Sequence, residues 1–494
     1  MKKILFVILT LIFVVSCQQT TQVDKMTINV LQINDLHGHV QSESGLTVGL
    51  AGASYYVNKV RAEDEFDNTI LIGNGDMFQE TAISRVSYGK IVIDCMNQMK
   101  FDCMGIGNHE FDWGFDKILA YFDGDTTNGE ANFPLLNSNI FYDDELLTAD
   151  NIFSSTIIEK ENLNVGIMSY IGNVYSSISA NMVEGYEFKT DSAWLKENLL
   201  LEGMKLKEAG ADIIIVNVHG GNSSSIEDYY FNNIIADLKY KDEYLFNAII
   251  NGHTHTKQSG YIARDGVNLP VIQSNGSLRN MGRIDLEYDF NKQTVTGYEV
   301  EHINLNQRPI YDYDVLNIIN NYYEENKTIL EEIYCENLAE FYRSNELYGY
   351  VGELITTALD TTAFVCNTGA FRNKCKKGAF DFNALYALTP FDNHIIICEI
   401  SGSNLAQFVM ENQGYEICYT KDYGFDIATD KTYKLAIIDY VFFSSYFADY
   451  RHANYTDTNI ILRDVIAMDL RLRKETGFNI YTDWKDIKIS SILV

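Results

Sequence analysis

Five short strings in this 494-residue chain combine His, Asp and Asn with glycine in a pattern that could bind cations and move a proton. They are Asn34-Asp35-Leu36-His37-Gly38, Gly73-Asn74-Gly75-Asp76, Gly107-Asn108-His109-Glu110-Phe111-Asp112, Val218-His219-Gly220-Gly221 and Asn251-Gly252-His253-Thr254-His255. Five of the nine histidines lie in them. Imidazole nitrogen and carboxylate oxygen suit borderline divalent ions such as Zn, Mn, Fe or Co, and one carboxylate can bridge two ions ~3.5–4 Å apart. The i,i+2 pairs Asp35/His37 and His253/His255 put both side chains on one side of an extended chain, and the adjacent glycines let backbone approach a metal closely. Each string alone is ordinary loop chemistry. Their conjunction points to a site for two cations, which would lower the pKa of a shared water and make it a nucleophile near neutral pH.

The elements that must position these groups are short β-rich runs. Ile28–Ile33 leads into Asn34-Asp35, Thr69–Ile72 into Gly73–Asp76, Ile213–Val218 into His219, and Ala248–Ile250 into Asn251–His253. Such apolar runs suit strands buried on both faces by helices, with sites collecting in the loops at strand ends. Residues 27–304 therefore read as an α/β domain. After Pro309, the spacing of Val315, Ile318, Tyr322, Ile329 and Ile333 predicts a linker helix within residues 305–344. Residues 345–494 mix helix and strand signals and read as a separate domain.

In order and in strand–loop context, the five strings resemble the calcineurin-like metallophosphatases, and specifically the bacterial 5'-nucleotidase/UDP-sugar hydrolase/2',3'-cyclic-nucleotide phosphodiesterase family. The resemblance implies a four-layer metallophosphatase β-sandwich flanked by helices, a linker helix, and a second α/β substrate-specificity domain. It also implies the ligand sets. One ion would take Asp35, His37, Asp76 and His255; the other would take Asp76, Asn108, His219 and His253, with Asp76 bridging. His109 would be the catalytic histidine, paired with Asp112. A bridging hydroxide would attack phosphorus in line, and His109 would stabilise charge or protonate the leaving oxygen. His39 reads as structural, and His302, His394 and His452 as structural or solvent-facing.

The resemblance continues into the last domain. Asn367-Thr368-Gly369-Ala370-Phe371-Arg372 matches the family's Asn-x-Gly-x-x-Arg loop and Pro390-Phe391-Asp392-Asn393 its Pro-Phe-x-Asn turn; Gly378 begins a strand and Gly402 a helix. Asn367, Gly369 and Arg372 are thereby expected at the substrate, and a guanidinium offers a planar fork of donors for phosphate or carboxylate. The family's base-stacking loop is rich in glycine. Here the corresponding stretch is Phe442-Phe443-Ser444-Ser445-Tyr446-Phe447. Phe447 is the expected stacking ring; Tyr415, Phe443 and Tyr446 are alternatives, and each could instead be core.

Composition bounds the rest. With 46% hydrophobic residues, 33 Tyr, 27 Phe and 3 Trp, the chain is not disordered. A net charge of -30 excludes a polyanion docked through a basic face, but not a small phosphorylated metabolite at a local metal or Arg site. Met1-Lys2-Lys3, the apolar run Ile4–Val15 and Ser16-Cys17 describe an export signal over residues 1–17, resembling a lipobox with Cys17 as the lipidated residue and 18–26 as a tether. A protein lipid-anchored on the periplasmic face or cell surface is expected, with the lipid as its only membrane contact. Of the other seven cysteines, none forms a CxxC pair, and an odd number leaves at least one thiol free. The expected function is nucleotide hydrolysis. Hydrolysis of other phosphates, such as sugar phosphates, and a non-catalytic binding lipoprotein are the alternatives.

Overall fold

A computed structural model describes residues 24–63, 68–220, 230–305, 310–412, 417–419, 427–483 and 485–492. The signal segment with Cys17, most of the tether, Gly221, Pro309 and Tyr415 lie outside these residues. The architecture is mixed α/β. A seven-stranded sheet runs in the order Thr294–Ile303, Met281–Asp289, Lys25–Ile33, Thr69–Asn74, Cys103–Gly105, Leu135–Leu136, Ile152–Phe153. A six-stranded sheet runs Gln258–Ile262, Leu269–Gln273, Ala248–Gly252, Ile213–His219, Leu163–Ile171, Ser155–Lys160. Parallel pairing of Lys25–Ile33 with Thr69–Asn74, and of Ile213–His219 with Ala248–Gly252, brings the carboxyl ends of the motif strands to the same edge.

Every residue of Thr69–Asn74, Ile213–His219 and Ala248–Gly252 is buried. The apolar runs by themselves suggest helices on both faces; instead one face of each sheet is covered by the other sheet, as in the four-layer sandwich that the resemblance implies. Ile28, Val30, Ile70 and Ile72 pack against Val165, Ile167, Ile213 and Ile215 between the sheets. The opposite face of the first sheet, with Leu31, Ile33 and Leu71, meets helices Gly49–Glu63 and Lys90–Met99. The opposite face of the second, with Ile214, Val216 and Val218, meets helices Ser192–Glu208 and Tyr230–Asp237. Burial of each such Ile, Val or Leu contributes about 1.5–3 kcal/mol. Four layers result: helix, sheet, sheet, helix.

The helix expected after Pro309 spans Tyr313–Leu330. Asp312 caps it, accepting from the Asp314 amide at 2.9 Å, while its second oxygen accepts from Ser54 Oγ at 2.6 Å and Asn58 Nδ2 at 2.9 Å. Val315, Ile319 and Leu330 are buried in the first domain's core, so the helix is packed onto that domain. Ile329 and Ile333, expected on its apolar face, are 47% and 54% exposed. The helix ends before Ile333, and Ile333–Asn337 is a strand paired with Gly378–Asp381. Tyr334 and Cys335 enter the second core, so that domain's packing begins a dozen residues before the expected boundary at 345.

The second domain centres on a five-stranded sheet ordered Ile417–Tyr419, Ala363–Asn367, Thr432–Ile438, His394–Ser401, Tyr455–Ile461. Helices Asn345–Leu359, Gly402–Glu411 and Leu462–Leu472 supply buried apolar residues to its core. Tyr386, on its Phe382–Leu388 helix, is buried among first-domain residues instead, so the two domains share packed surface. Cys95, Cys103, Cys335, Cys366, Cys375 and Cys398 are buried free thiols.

Candidate active site

All seven residues expected as metal ligands converge where the strands end. Asp35, His37, Asp76 and His255 offer ligand atoms within 4.8 Å of one another, and so do Asp76, His219 and His253. Asp76 is common to both groups. Asn108 Oδ1 lies 2.8 Å from His253 Nδ1 and 3.3 Å from His219 Nε2. Strand ends alone do not aim these groups. Asp35, His37, Asp76, His253 and His255 have φ of 50°, 52°, 53°, 84° and 52°, in the left-handed region that non-glycine residues rarely adopt. Gly75 and Gly107 let the loops close up: a Cβ at Gly107 would sit 2.3 Å from Asp76 Oδ1 and 2.8 Å from His219 Nε2.

The donor set fits two cations. His37 Nδ1 donates to the Gln79 carbonyl at 3.0 Å and His219 Nδ1 to the Asn74 carbonyl at 2.7 Å, which leaves each Nε2 lone pair facing inward. The Nε2 atoms of His37 and His255 face each other at 2.9 Å. Asp76 Oδ2 is fully buried, 3.0 Å from His219 Nε2, and has no well-formed hydrogen-bond donor. Lone pairs that converge without donors are the arrangement a cation satisfies.

Electrostatics divides the cluster. Burial, the largest cause, pulls His37 and His253 down to about 4, as suits neutral ligands. Burial acts the same way on His219, but the charge of Asp76 overrides it and lifts the group to about 10, so that without a cation a proton sits between His219 Nε2 and Asp76 Oδ2, in the place where a cation would take both lone pairs. Burial would raise the Asp76 carboxyl; the surrounding imidazoles, His219 foremost, hold it well below the ordinary carboxylate range.

His109 stands beside the cluster. Its backbone amide donates to Asp76 Oδ1 at 2.8 Å, and its Nδ1 donates to Asp112 Oδ2 at 2.7 Å. Burial lowers this imidazolium, but Asp112 and Asp76 outweigh it and raise the group to about 9. Glu110, to which the motif reading gave no role, is buried and organises the loops. Its Oε2 accepts from the Asp76 amide at 2.8 Å and the Gly107 amide at 2.6 Å, and its Oε1 from the Met77 amide at 2.8 Å. Burial, then the charge of Asp76, pushes its carboxyl up to about 7.

Asp76, Asn108, His109, Asp112, His253 and His255 open on a cavity of about 480 Å³ between the domains. The second domain lines it with Asn367, Gly369, Arg372, Phe391, Asp439 and Tyr440. Arg372 stands over the Phe391 ring at 5.1 Å; burial raises the nearby Asp112 carboxyl, and the charge of Arg372 opposes that rise and the one at His109 without reversing either. Phe447 is a correction. Its ring is fully buried against Phe408, Phe442 and Tyr450, in the core and away from the cavity. Phe443 is partly buried on the same core and Tyr446 is 43% exposed; neither lines the cavity. The cavity's rings are Phe391 and Tyr440. Tyr440 donates its hydroxyl to the Ser176 carbonyl of the first domain at 3.0 Å, and the polar wall of Ser176, Ser177 and Ser179 carried no motif.

The remaining histidines stand apart. His39 pairs with Glu43 at 2.9 Å, and His302 meets Asn280 at 2.9 Å and the Gln258 carbonyl at 3.1 Å. His394 faces Asp457 at 3.7 Å, and His452 is exposed.

Residues 28–257 match the calcineurin-like phosphoesterase family. The chain is 25% identical over 453 residues to Endonuclease YhcR of Bacillus subtilis, covering 84% of this chain but 35% of that protein. It is 26% identical over 432 residues to the snake venom 5'-nucleotidase of Crotalus adamanteus, covering 77% of this chain and 69% of that one. The fold is that of the 5'-nucleotidase precursor from Thermus thermophilus, at a TM-score of 0.71 and 16% identity, over 91% of this chain and 97% of that one.

Proposed function

We propose, from the calcineurin-like phosphoesterase domain that residues 28–257 form, that the protein hydrolyses the phosphate esters of nucleotides, as a 5'-nucleotidase, a 2',3'-cyclic-nucleotide phosphodiesterase or both. The observation that carries this reading is the union of two ligand groups on Asp76 with a cavity whose far wall holds Arg372 and two aromatic rings. Asp35, His37, Asp76 and His255 would hold one divalent cation, and Asp76, Asn108, His219 and His253 the other. Such a pair, drawn from Zn, Mn, Fe or Co, supplies Lewis acidity toward phosphoryl oxygen and lowers the pKa of water.

The chain's own groups do the rest. Asp112 holds the Nδ1 proton of His109 and, with Asp76, keeps the ring an imidazolium, whose second proton, on Nε2, is the one that passes to the leaving oxygen. Arg372 orients the anionic substrate, and Asn367, whose Oδ1 is buried without a partner, receives a substrate hydroxyl or amine. Phe391 and Tyr440 give a base its apolar face. The three serines favour a second reading in the same chemistry, hydrolysis of sugar phosphates, which need hydroxyl partners more than rings.

The test is phosphate release from 5'-nucleotides, 2',3'-cyclic nucleotides, UDP-sugars, sugar phosphates and a single-stranded oligonucleotide, each with and without a chelator. A chelator-sensitive preference for nucleotides supports the reading. Equal rates across the panel would leave the phosphoesterase and defeat the nucleotidase; no turnover at all would favour the binding lipoprotein. With a net charge of -30, the oligonucleotide should be a poor substrate. Export with lipidation at Cys17 belongs to the same proposal. Because the lipid is the membrane contact proposed, Cys17→Ser should release the protein into the soluble fraction.

A further inference from the structure

We propose that Arg85, which does not line the cavity, is a positioning residue for the nucleotide. It stands on the Ala82–Val86 helix, shortly after the Asp76 loop. Its Nε and Nη2 both donate to Asp392 Oδ2 of the second domain, at 2.9 and 2.6 Å. The other Asp392 oxygen accepts from Arg463, whose Nη1 also donates to the Thr389 and Phe391 carbonyls at 3.2 Å each. From the first domain, Gln79 Nε2 donates to the Pro390 carbonyl at 3.2 Å, and the carbonyl of the same Gln79 accepts from His37 Nδ1. The turn at 389–392 is thus gripped from both domains. At its tip the Phe391 ring lies 6.4 Å from the His109 imidazole and carries the Arg372 guanidinium at 5.1 Å.

An exposed ion pair would contribute only ~0–1 kcal/mol and could be removed without consequence for a substrate. This pair is two-pronged, its side chains are 17% and 14% exposed, and it bears on a turn whose Phe391 ring lies beside both His109 and Arg372. Losing Arg85 leaves Asp392 still paired with Arg463, so the second domain keeps its own structure while the seat of Phe391 and Arg372 against the metal domain loosens. A substrate that uses Arg372 and the rings loses orientation; one that needs only the metal cluster does not.

This inference rests on the nucleotide reading above. The experiment compares wild type with Arg85→Gln and Arg85→Lys in the full, metal-loaded protein, on a nucleoside monophosphate and on p-nitrophenyl phosphate. Arg85→Gln should raise KM for the nucleotide and lower its kcat/KM about tenfold, while the small ester changes by less than about twofold and metal content is kept. Arg85→Lys retains the charge but not the fork, and should show the same split at smaller size. Equal losses on both substrates would make Arg85 merely structural, and no loss on either would refute the coupling. Should Arg85→Gln fail to fold, an unsplit Arg85→Lys overturns the proposal by itself. A wild-type protein inactive on nucleotides overturns the nucleotide reading and this inference together; an active one with unsplit variants overturns only this inference.

Discussion

Glu110→Gln isolates what holds the ligand loops in place. Above the pH of about 7 at which Glu110 ionises, its carboxylate accepts three backbone N–H groups, two on Oε2 and one on Oε1. An amide offers one oxygen and one NH₂. With its oxygen in the Oε2 position, it keeps the Asp76 and Gly107 bonds but sets its NH₂ against the Met77 N–H. Losing a bond to a charged acceptor removes about 1.5–3 kcal/mol, and a buried unpaired donor costs about 1–3 kcal/mol more. We expect a destabilisation of about 3–5 kcal/mol, near the upper end for a point substitution. At about 2–4 °C per kcal/mol for a domain of this size, Tm should fall by roughly 10 °C. Because Met77 adjoins the bridging Asp76, its displaced amide should disturb that carboxylate, and bound metal measured by elemental analysis should drop as well. Paired thermal melts and metal analysis, with and without added metal, check both expectations. A Tm within about 2 °C of wild type, with two metals retained, would refute the assignment of Glu110 as the buttress of these loops.

Asp76→Ala should remove both ions and all activity, since each ligand group contains that carboxylate; two metals still bound in the variant would contradict the bridge. His109→Asn should keep the metals but slow turnover by ~10²–10⁴, the range for a general acid–base group, and unchanged kcat would reduce His109 to a structural role. With its imidazolium held to about 9 by Asp112 and Asp76 against burial, His109 should support turnover up to that pH and lose it above, as the proton is lost. Asp112→Asn should move this alkaline limb to lower pH, and an unmoved limb would assign it to another group. Phe447→Ala should destabilise by about 3–5 kcal/mol with KM for substrate unchanged, whereas Tyr440→Ala should raise KM at a smaller loss of stability. The opposite pattern would return Phe447 to the substrate.

What was legible in the sequence depended on how local the signal is. Every expected ligand except Asn108, which follows the three-residue strand Cys103–Gly105, comes at or after a strand whose apolar run is itself readable, and His or Asp beside Gly marks a chain that can turn toward an ion, so the cluster could be assembled motif by motif. That the strands are buried on both faces was equally readable. What covers them was not, because Ile28 and Leu31 look alike although one meets a sheet and the other a helix. Phe447 was misread because a run of aromatics such as Phe442–Phe447 has no period that separates inward from outward rings. Tyr440 and Ser176 come from different domains and meet only through the angle between them, which no local pattern encodes. Glu110 lies inside a recognised string, yet a glutamate beside a histidine looks like an ordinary solvated residue until its three amide donors are in view.

The left-handed backbone at Asp35, His37, Asp76, His253 and His255 bears on how such a site could be lost. Each of these conformations costs about 1–2 kcal/mol in a residue with a Cβ, and together they amount to a sizeable part of a typical domain's net stability of about 5–15 kcal/mol. Glycine would relieve the strain at every one of the five. For a descendant chain with no use for the ions, drift to glycine at these positions would therefore relieve local strain, most freely at the three histidines, whose side chains accept no backbone amide. Selection for the bound ions is what would hold the five residues in place, and laboratory evolution for stability alone should erode the histidines among them first.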